Sequence, residues 1–394
     1  MLFSTDRKRS ALKMRTPMAG WNDGSGYGKS TFVTTWDTTQ AGSANDTIIL
    51  PLYGSGVYDF VVDWGDGNTD HITADTDPAT THVYTSSGTY TVTFKGILNG
   101  FRFNNLGDKS KLMNIARWGN MNPGNFGTSF YGCDNLTISA TDGPDLTGVT
   151  TLSQIFRDCT SLTTENFNGW DLCAVTSIAS MFRGATSFNG YIDKWNLCSC
   201  TSLNATLRDT AFNRDISGWD VSSVETFNSC FYGCSAFNKP LNAWNTASLD
   251  RCSFAFYNCS NFNQPLGSWQ MDLVTTIEAM FFGCSNFDQD LSGWNTASLA
   301  NADNAFKNTT IDRDFSGWDV SQLTTATNMF DGVTLSTANY DALLIGWEAQ
   351  TLQSGTDFSA GSSTYTGGGA AATARADLLA APNLWTIADG GIAP

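Results

Sequence analysis

Apolar side chains recur along this chain in two different rhythms. Between residues 32 and 100 they alternate with polar ones, in Phe32-Val33-Thr34-Thr35-Trp36, Thr47-Ile48-Ile49-Leu50, Tyr58-Asp59-Phe60-Val61-Val62-Asp63-Trp64 and Thr89-Tyr90-Thr91-Val92-Thr93-Phe94. Period-two alternation of β-branched and aromatic residues predicts strands with one buried face. Gly65-Asp66-Gly67-Asn68 supplies a tight turn after the third run. One small β-sandwich is the expectation here.

Beyond residue 100 the rhythm lengthens. Trp stands at 170, 195, 219, 244, 269, 294 and 318, at intervals of 24 or 25, and Trp347 closes the series. A second column runs Phe130, Phe156, Phe182, Leu207, Phe231, Phe256, Phe281, Phe306 and Phe330. A third is Leu136, Leu162, Phe188, Phe212, Phe237, Phe262, Phe287 and Ile311. Self-similarity at a fixed period predicts a solenoid in which each unit buries its apolar edge against its neighbours. The aromatic columns then read as core rather than as a platform for stacking sugars. Within a unit, Val224, Phe227 and Phe231 have the spacing of a helical turn or two. Pro240-Leu241-Asn242-Ala243-Trp244 looks extended, so the prediction is a helix-plus-strand coil. After Glu348 the phase is lost. A short helix at residues 370–381 and a strand at Leu384-Trp385-Thr386-Ile387 would form the end piece that a repeat array needs.

Two resemblances follow from these residues. Trp64-Gly65-Asp66-Gly67, His82-Val83-Tyr84 and Gly88-Thr89-Tyr90-Thr91-Val92 resemble the polycystic-kidney-disease-type (PKD) immunoglobulin-like domain. That family implies a spacer or adhesive module of extracellular proteins. Phe231-Tyr232-Gly233-Cys234-Ser235-Ala236-Phe237-Asn238 and Phe256-Tyr257-Asn258-Cys259-Ser260-Asn261-Phe262-Asn263 resemble the BspA-like leucine-rich repeats of bacterial and phage surface proteins. So do Asn339-Tyr340-Asp341-Ala342-Leu343-Leu344-Ile345-Gly346-Trp347 and Trp385-Thr386-Ile387-Ala388-Asp389-Gly390-Gly391. The fold class implied is mixed: a PKD/Ig-like β-sandwich, then a leucine-rich-repeat-type α/β solenoid of about nine coils of 24–26 residues. The domains expected are an arm with the first strand at 1–44, the sandwich at 45–100, the solenoid at 101–348 and a cap at 349–394.

Charge narrows the function. Only 15% of residues are charged and the net charge is −16. Phosphate neutralisation needs a basic face, so nucleic acid is not the expected partner. No apolar run approaches the roughly 18 residues of a membrane span, and residues 1–20 show no apolar signal-peptide region. That stretch does carry Arg7, Lys8, Arg9, Lys13 and Arg15, a +4 arm on a −20 remainder, which predicts docking on an acidic neighbour. Gly24-Ser25-Gly26-Tyr27-Gly28-Lys29-Ser30-Thr31 mimics a phosphate loop, but Asp23 stands where its first Gly belongs. It reads as a joint.

No catalytic residue, metal site or cofactor is expected. The two histidines, His71 and His82, have no nucleophile partner in the pattern. Asp63, Asp66, Asp70, Asp75 and Asp77 are dense but do not match a calcium loop, and Asp favours turns for local reasons. All ten cysteines lie between 133 and 284. Five of them share one repeat column, where a thiol serves as a small buried filler. Positions that vary from unit to unit make a better ligand surface than the core columns. The candidates are Arg214, Lys239, Gln264, Gln289 and Arg313.

The function expected is that of a non-enzymatic phage virion protein, either capsid decoration or tail-fibre adhesin, present in many copies. The arm binds other virion proteins, and the solenoid binds a host-surface glycan or protein. The alternative is a bacterial cell-surface adhesin of the BspA-like type.

Overall fold

A computed structural model of the chain describes residues 31–394. The first part holds β1 (Phe32–Asp37), β2 (Thr47–Ile49), β3 (Leu52–Asp63), β4 (Thr69–Ile72), β5 (Thr81–Val83) and β6 (Thr89–Phe101). β7 (Leu112–Arg117), β8 (Met121–Asn122) and β9 (Thr137–Ile138) follow. Seven of these form one mixed sheet in the order β4-β3-β6-β1-β7-β9, with β8 on β6, while β2 and β5 pair separately. Alternation works as the pleat requires: Phe32, Thr34 and Trp36 of β1 are buried, and Phe60 and Val62 of β3 join them. β1 lies between β6 and β7, both antiparallel to it, so the sheet runs past residue 100 into the repeats.

The interface between the sheet and the repeats is latched by a buried ion pair. Lys111 and Asp108 are 0% and 1% exposed, with Nζ 3.9 Å from Oδ1. Lys111 Nζ donates to Ser43 O, Ala44 O and Thr47 O, while Asp108 accepts from the amides of Ser43 and Ile49. Both buried charges are thereby hydrogen-bonded, as burial demands, and they hold residues 43–49 against the start of the repeats.

Between residues 139 and 324 the units contain no helix and no extended strand longer than an isolated bridge. In the unit around Phe231, inward side chains sit on successive turns. The amides of Cys230, Cys234, Phe237 and Trp244 donate to the carbonyls of Phe227, Phe231, Cys234 and Leu241. The intervening amides point along the stack: Phe227, Ser229, Phe231 and Gly233 donate to Arg251, Ser253, Ala255 and Tyr257 of the next unit, at 2.7 to 2.9 Å. Isolated parallel bridges mark the same register, such as Ser177 with Ser202 and Ser202 with Thr226.

These findings correct the expected fold class. The units are not helix-plus-strand coils, so the α/β solenoid of leucine-rich-repeat type is not what forms. The only α-helices described are α1 (Thr337–Glu348) and α2 (Ala370–Leu379), both near the C-terminus. Nor is the N-terminal part a clear sandwich, because one seven-stranded mixed sheet dominates and its partner has two short strands. The physical reason lies in the turns. A chain of turns three residues long places an inward side chain every three or four positions, the same spacing an α-helix gives. Pro240–Trp244 is likewise a turn, closed from Trp244 N to Leu241 O at 3.1 Å, not a strand.

Stacking continues into the end piece. There β10 (Thr325–Ala326), β11 (Asp357–Ser359) and β12 (Thr386–Ala388) pair in parallel. α1 packs on α2, and Asp389 ties them together by accepting from Tyr340 Oη and Arg375 Nε, both at 2.7 Å.

Candidate functional site

Repetition turns each residue type into a ladder, and the ladders divide into inward and outward ones. Inward, the Trp rings stack at 6.0 Å (Trp195 on Trp219) and 6.2 Å (Trp219 on Trp244, Trp244 on Trp269). Each indole also donates one unit back, as Trp244 Nε1 does to Ile216 O at 3.1 Å and Trp269 Nε1 to Leu241 O at 3.0 Å. The Phe column stacks similarly, with Phe231, Phe256, Phe281 and Phe306 at 5.5, 5.6 and 5.6 Å. The aromatic columns are therefore core, and their ring faces are occupied.

The cysteine column is also inward. Cys234, Cys259 and Cys284 each donate Sγ to a carbonyl of the previous unit at 2.9 Å. Where Thr210 replaces Cys, its hydroxyl donates instead to Leu207 O of its own unit at 2.7 Å, so either residue leaves no unpaired donor in the core. Burial pushes these thiols up, Cys234 to about 12, and a protonated buried thiol is inert.

The outward face carries three ladders. In the first, a side-chain oxygen accepts the amide of the equivalent residue in the next unit: Asn189 from Asn213, Asn213 from Asn238, Asn238 from Asn263, and Asn263 from Asp288. It continues from Asp288 to Asp312 and from Asp312 to Ser336.

Four of the five predicted ligand-surface residues brace this ladder. Arg214 Nε donates to Asn189 O at 2.7 Å, and its guanidinium lies 3.6 Å over the Tyr191 ring. Gln264 Nε2 reaches Asn238 Oδ1 at 2.9 Å and Gln289 Nε2 reaches Asn263 Oδ1 at 2.7 Å. Arg313 forks onto Asp288 at 2.8 and 2.7 Å. Lys239 sits in the same column with its charge near Asp215. The column is thus one surface, and four of its five side chains each place at least one donor on the neighbouring unit. The arm residues Arg7, Lys8, Arg9, Lys13 and Arg15 lie outside the described residues, as does the glycine-rich joint up to Ser30.

The second outward ladder was missed by sequence reasoning. Tyr131, Arg157, Arg183, Arg208, Tyr232, Tyr257, Phe282 and Lys307 occupy one half-buried column. Arg208 lies 3.9 Å over Tyr232, Tyr232 stacks on Tyr257 at 4.4 Å, and Tyr257 on Phe282 at 4.5 Å. Its signal was available, since each residue stands directly after a core Phe or Leu. Because the rings stack on one another, only their edges and hydroxyls face solvent.

The third column has left-handed backbone and alternates Asx with Gly. Asn105, Asp158, Asp209, Asn258 and Asn308 interleave with Gly132, Gly184, Gly233, Gly283 and Gly332, all with φ between 57° and 82°. A Cβ at each glycine would overlap the Asx Oδ1 of the unit before it. The stack therefore repeats every two units, not every one.

Elsewhere the chemistry is local. Asp66 accepts from His82 Nε2 at 2.9 Å, and His82 stacks on Trp64 at 4.6 Å. Asp70 accepts from Trp64 Nε1 at 2.8 Å, and Asp63 and Asp77 close turns onto Gly65 and Ala79. Among the described residues no group of three or more His, Cys, Asp or Glu could hold a metal ion. No described helix is long and apolar enough to cross a membrane. Among the described residues, small cavities lie along the repeats, one of them lined by Leu203, Val221, Val224, Phe227, Trp244 and Trp269.

The fold and its ladders define a stacked-repeat protein whose units are built from turns. The family model described as "Mycoplasma protein of unknown function, DUF285" matches residues 150–266 and 243–347, just over half of the chain. The chain belongs to that family. No curated protein and no solved structure matches it.

Proposed function

We propose that the protein is a non-enzymatic display protein of a phage particle surface. The basic arm docks on acidic virion proteins, and the stacked repeats project an adhesive surface toward a host glycan or protein. One observation carries this reading: backbone hydrogen bonds link each repeat to the next and one continuous core runs through them, so the repeats form a single connected stack. With ring faces occupied in every aromatic column, the adhesive contacts are hydrogen bonds from amides, hydroxyls and guanidinium groups. Many copies then supply avidity, roughly 100-fold or more over a single weak site.

Quantitative mass spectrometry of gradient-purified particles beside the washed host-cell surface fraction tests this. A fixed ratio to the major capsid protein is expected. The family description, which names a bacterial genus, favours a second reading as a bacterial cell-surface adhesin. Enrichment on cells with absence from particles would establish that reading and overturn the first. A further expectation concerns the arm: deleting residues 1–17 abolishes incorporation into particles and leaves thermal unfolding of the remainder nearly unchanged. Undiminished incorporation of the truncated chain would sink the anchoring role.

A further inference from the structure

Eight of the ten cysteines are buried, whereas Cys173 and Cys198 are exposed. Both occupy the same position of the same turn, two residues after an Asx that follows a ladder tryptophan. The Cys173 amide donates to Asp171 Oδ1 at 3.1 Å and the Cys198 amide to Asn196 Oδ1 at 3.2 Å. Ser222 and Ser321 hold this position in other units, with the same bond to Asp220 and Asp319.

The two units are in register on both sides of the pair. Five residues before, Asn168 Nδ2 donates to Asp193 Oδ1 at 2.9 Å. Four residues after, Ser177 and Ser202 form a parallel bridge. Strand-like pairing would set equivalent residues about 4.8 Å apart and the neighbouring Trp column steps 6.0–6.2 Å, both inside the ~4.4–6.8 Å Cα window of a disulfide. Parallel Cβ vectors keep nearly that spacing, above the ~3.5–4.5 Å a disulfide prefers. Asn196, whose side chain caps the Cys198 turn, also donates Nδ2 to Cys173 Sγ at 3.2 Å, so the two turns already touch at the sulfur.

We propose that Cys173 and Cys198 form a reversible dithiol–disulfide pair that exchanges with small-molecule disulfides of the glutathione class and ties two adjacent units together. The order of events follows from the neighbours. Asp171 hydrogen-bonds the Cys173 thiol and holds its proton more tightly than usual, so the Cys198 thiolate attacks first. It breaks the external S–S bond, expels one small thiolate and forms a mixed disulfide. Cys173, deprotonated in turn, attacks the Cys198 sulfur and expels the second thiolate. One external disulfide is reduced, one protein disulfide forms, and the two released thiols take up the two protons. The slightly wide Cβ spacing makes the product easily reversed by added thiol, as exposed and strained disulfides are.

The test uses the full chain with Cys173→Ser and Cys198→Ser, whose backbone position already accepts serine in two other units. Each protein is incubated with glutathione disulfide and read by intact mass and peptide mapping. The native chain is expected to lose two hydrogens, retain no glutathione, join the peptides carrying residues 173 and 198, and revert with dithiothreitol. Each single variant is expected to trap one stable glutathione adduct at its remaining cysteine. Two glutathione adducts on the native chain, a covalent dimer as the main product, or no reaction at these positions would each overturn the pairing.

Discussion

Position 233 is glycine for two reasons at once. Its φ is 74°, a region that costs an L-residue roughly 1–2 kcal/mol, and Asp209 Oδ1 fills the space a Cβ would need. Gly233→Ala should therefore destabilise by about 2–3 kcal/mol in denaturant unfolding. Adding Asp209→Ala should recover part of that loss, because only the steric share depends on the neighbour. Strict additivity of the two substitutions would disprove the contact. Lys111 and Asp108 offer a second test. Removing either alone, as in Lys111→Met or Asp108→Leu, leaves an unpaired buried charge and should cost about 3–5 kcal/mol. The double replacement should cost less than either single one, as measured by thermal or denaturant unfolding. Neither feature is legible in the sequence. The Gly-Asx alternation is visible as letters, but its cause requires knowing that consecutive units touch at that column.

At the scale of one unit, the sequence displays its period and its buried face but hides its backbone. The Trp, Phe and Cys columns are core, as periodicity implies, because one residue per unit at fixed phase can only stack on its own equivalents. Periodicity alone does not reveal the backbone, because turns and helices share a spacing of three to four residues. What separates them is the destination of the amide protons, several of which in each unit go to the neighbouring unit instead of four residues back. The many Asn, Ser, Asp and Gly residues of the units favour turns over helix. The ligand-surface column was legible as a column, while its internal bracing was not.

Turns of this kind carry their own pH response. Asp215, Asp220, Asp290 and Asp319 accept the amide of the serine two residues on, at 2.9, 3.1, 2.9 and 2.9 Å. These bonds hold their carboxyls below the usual range; the serine amide is the larger cause for Asp215 and Asp290, the serine hydroxyl for Asp220 and Asp319. A depressed folded-state value contributes stability above the unfolded carboxyl pKa of about 3.9, lost as pH falls through the folded value. The melting temperature should hold nearly level from pH 7 to about 5 and then fall. Replacing the four aspartates by Asn should flatten that acid limb, and an unchanged limb would show that the turns do not set it.

Across the whole molecule, stability should behave as a sum of units and interfaces. Trp244→Ala removes a ring stacked on both neighbours and an indole bond, and should cost about 3–5 kcal/mol. Hydrogen exchange would show the loss spread over the units on either side, with the sheet at β1 and β6 less affected. Asp389→Ala should act at the other end, stripping Tyr340 and Arg375 of their shared acceptor and exposing the last unit first.

The alternation of Asx with Gly also bears on how such a chain can lengthen or shorten by recombination. Gain or loss of a single unit sets two Asx side chains, or two glycines, face to face at the junction. Gain or loss of a pair leaves every junction as it was. The smallest neutral step in the history of the array is thus a segment of about 50 residues, twice the interval of 24 or 25 at which Trp recurs. Relatives of this chain should differ in length by that segment, and those an odd number of units apart should carry a repaired column at the seam.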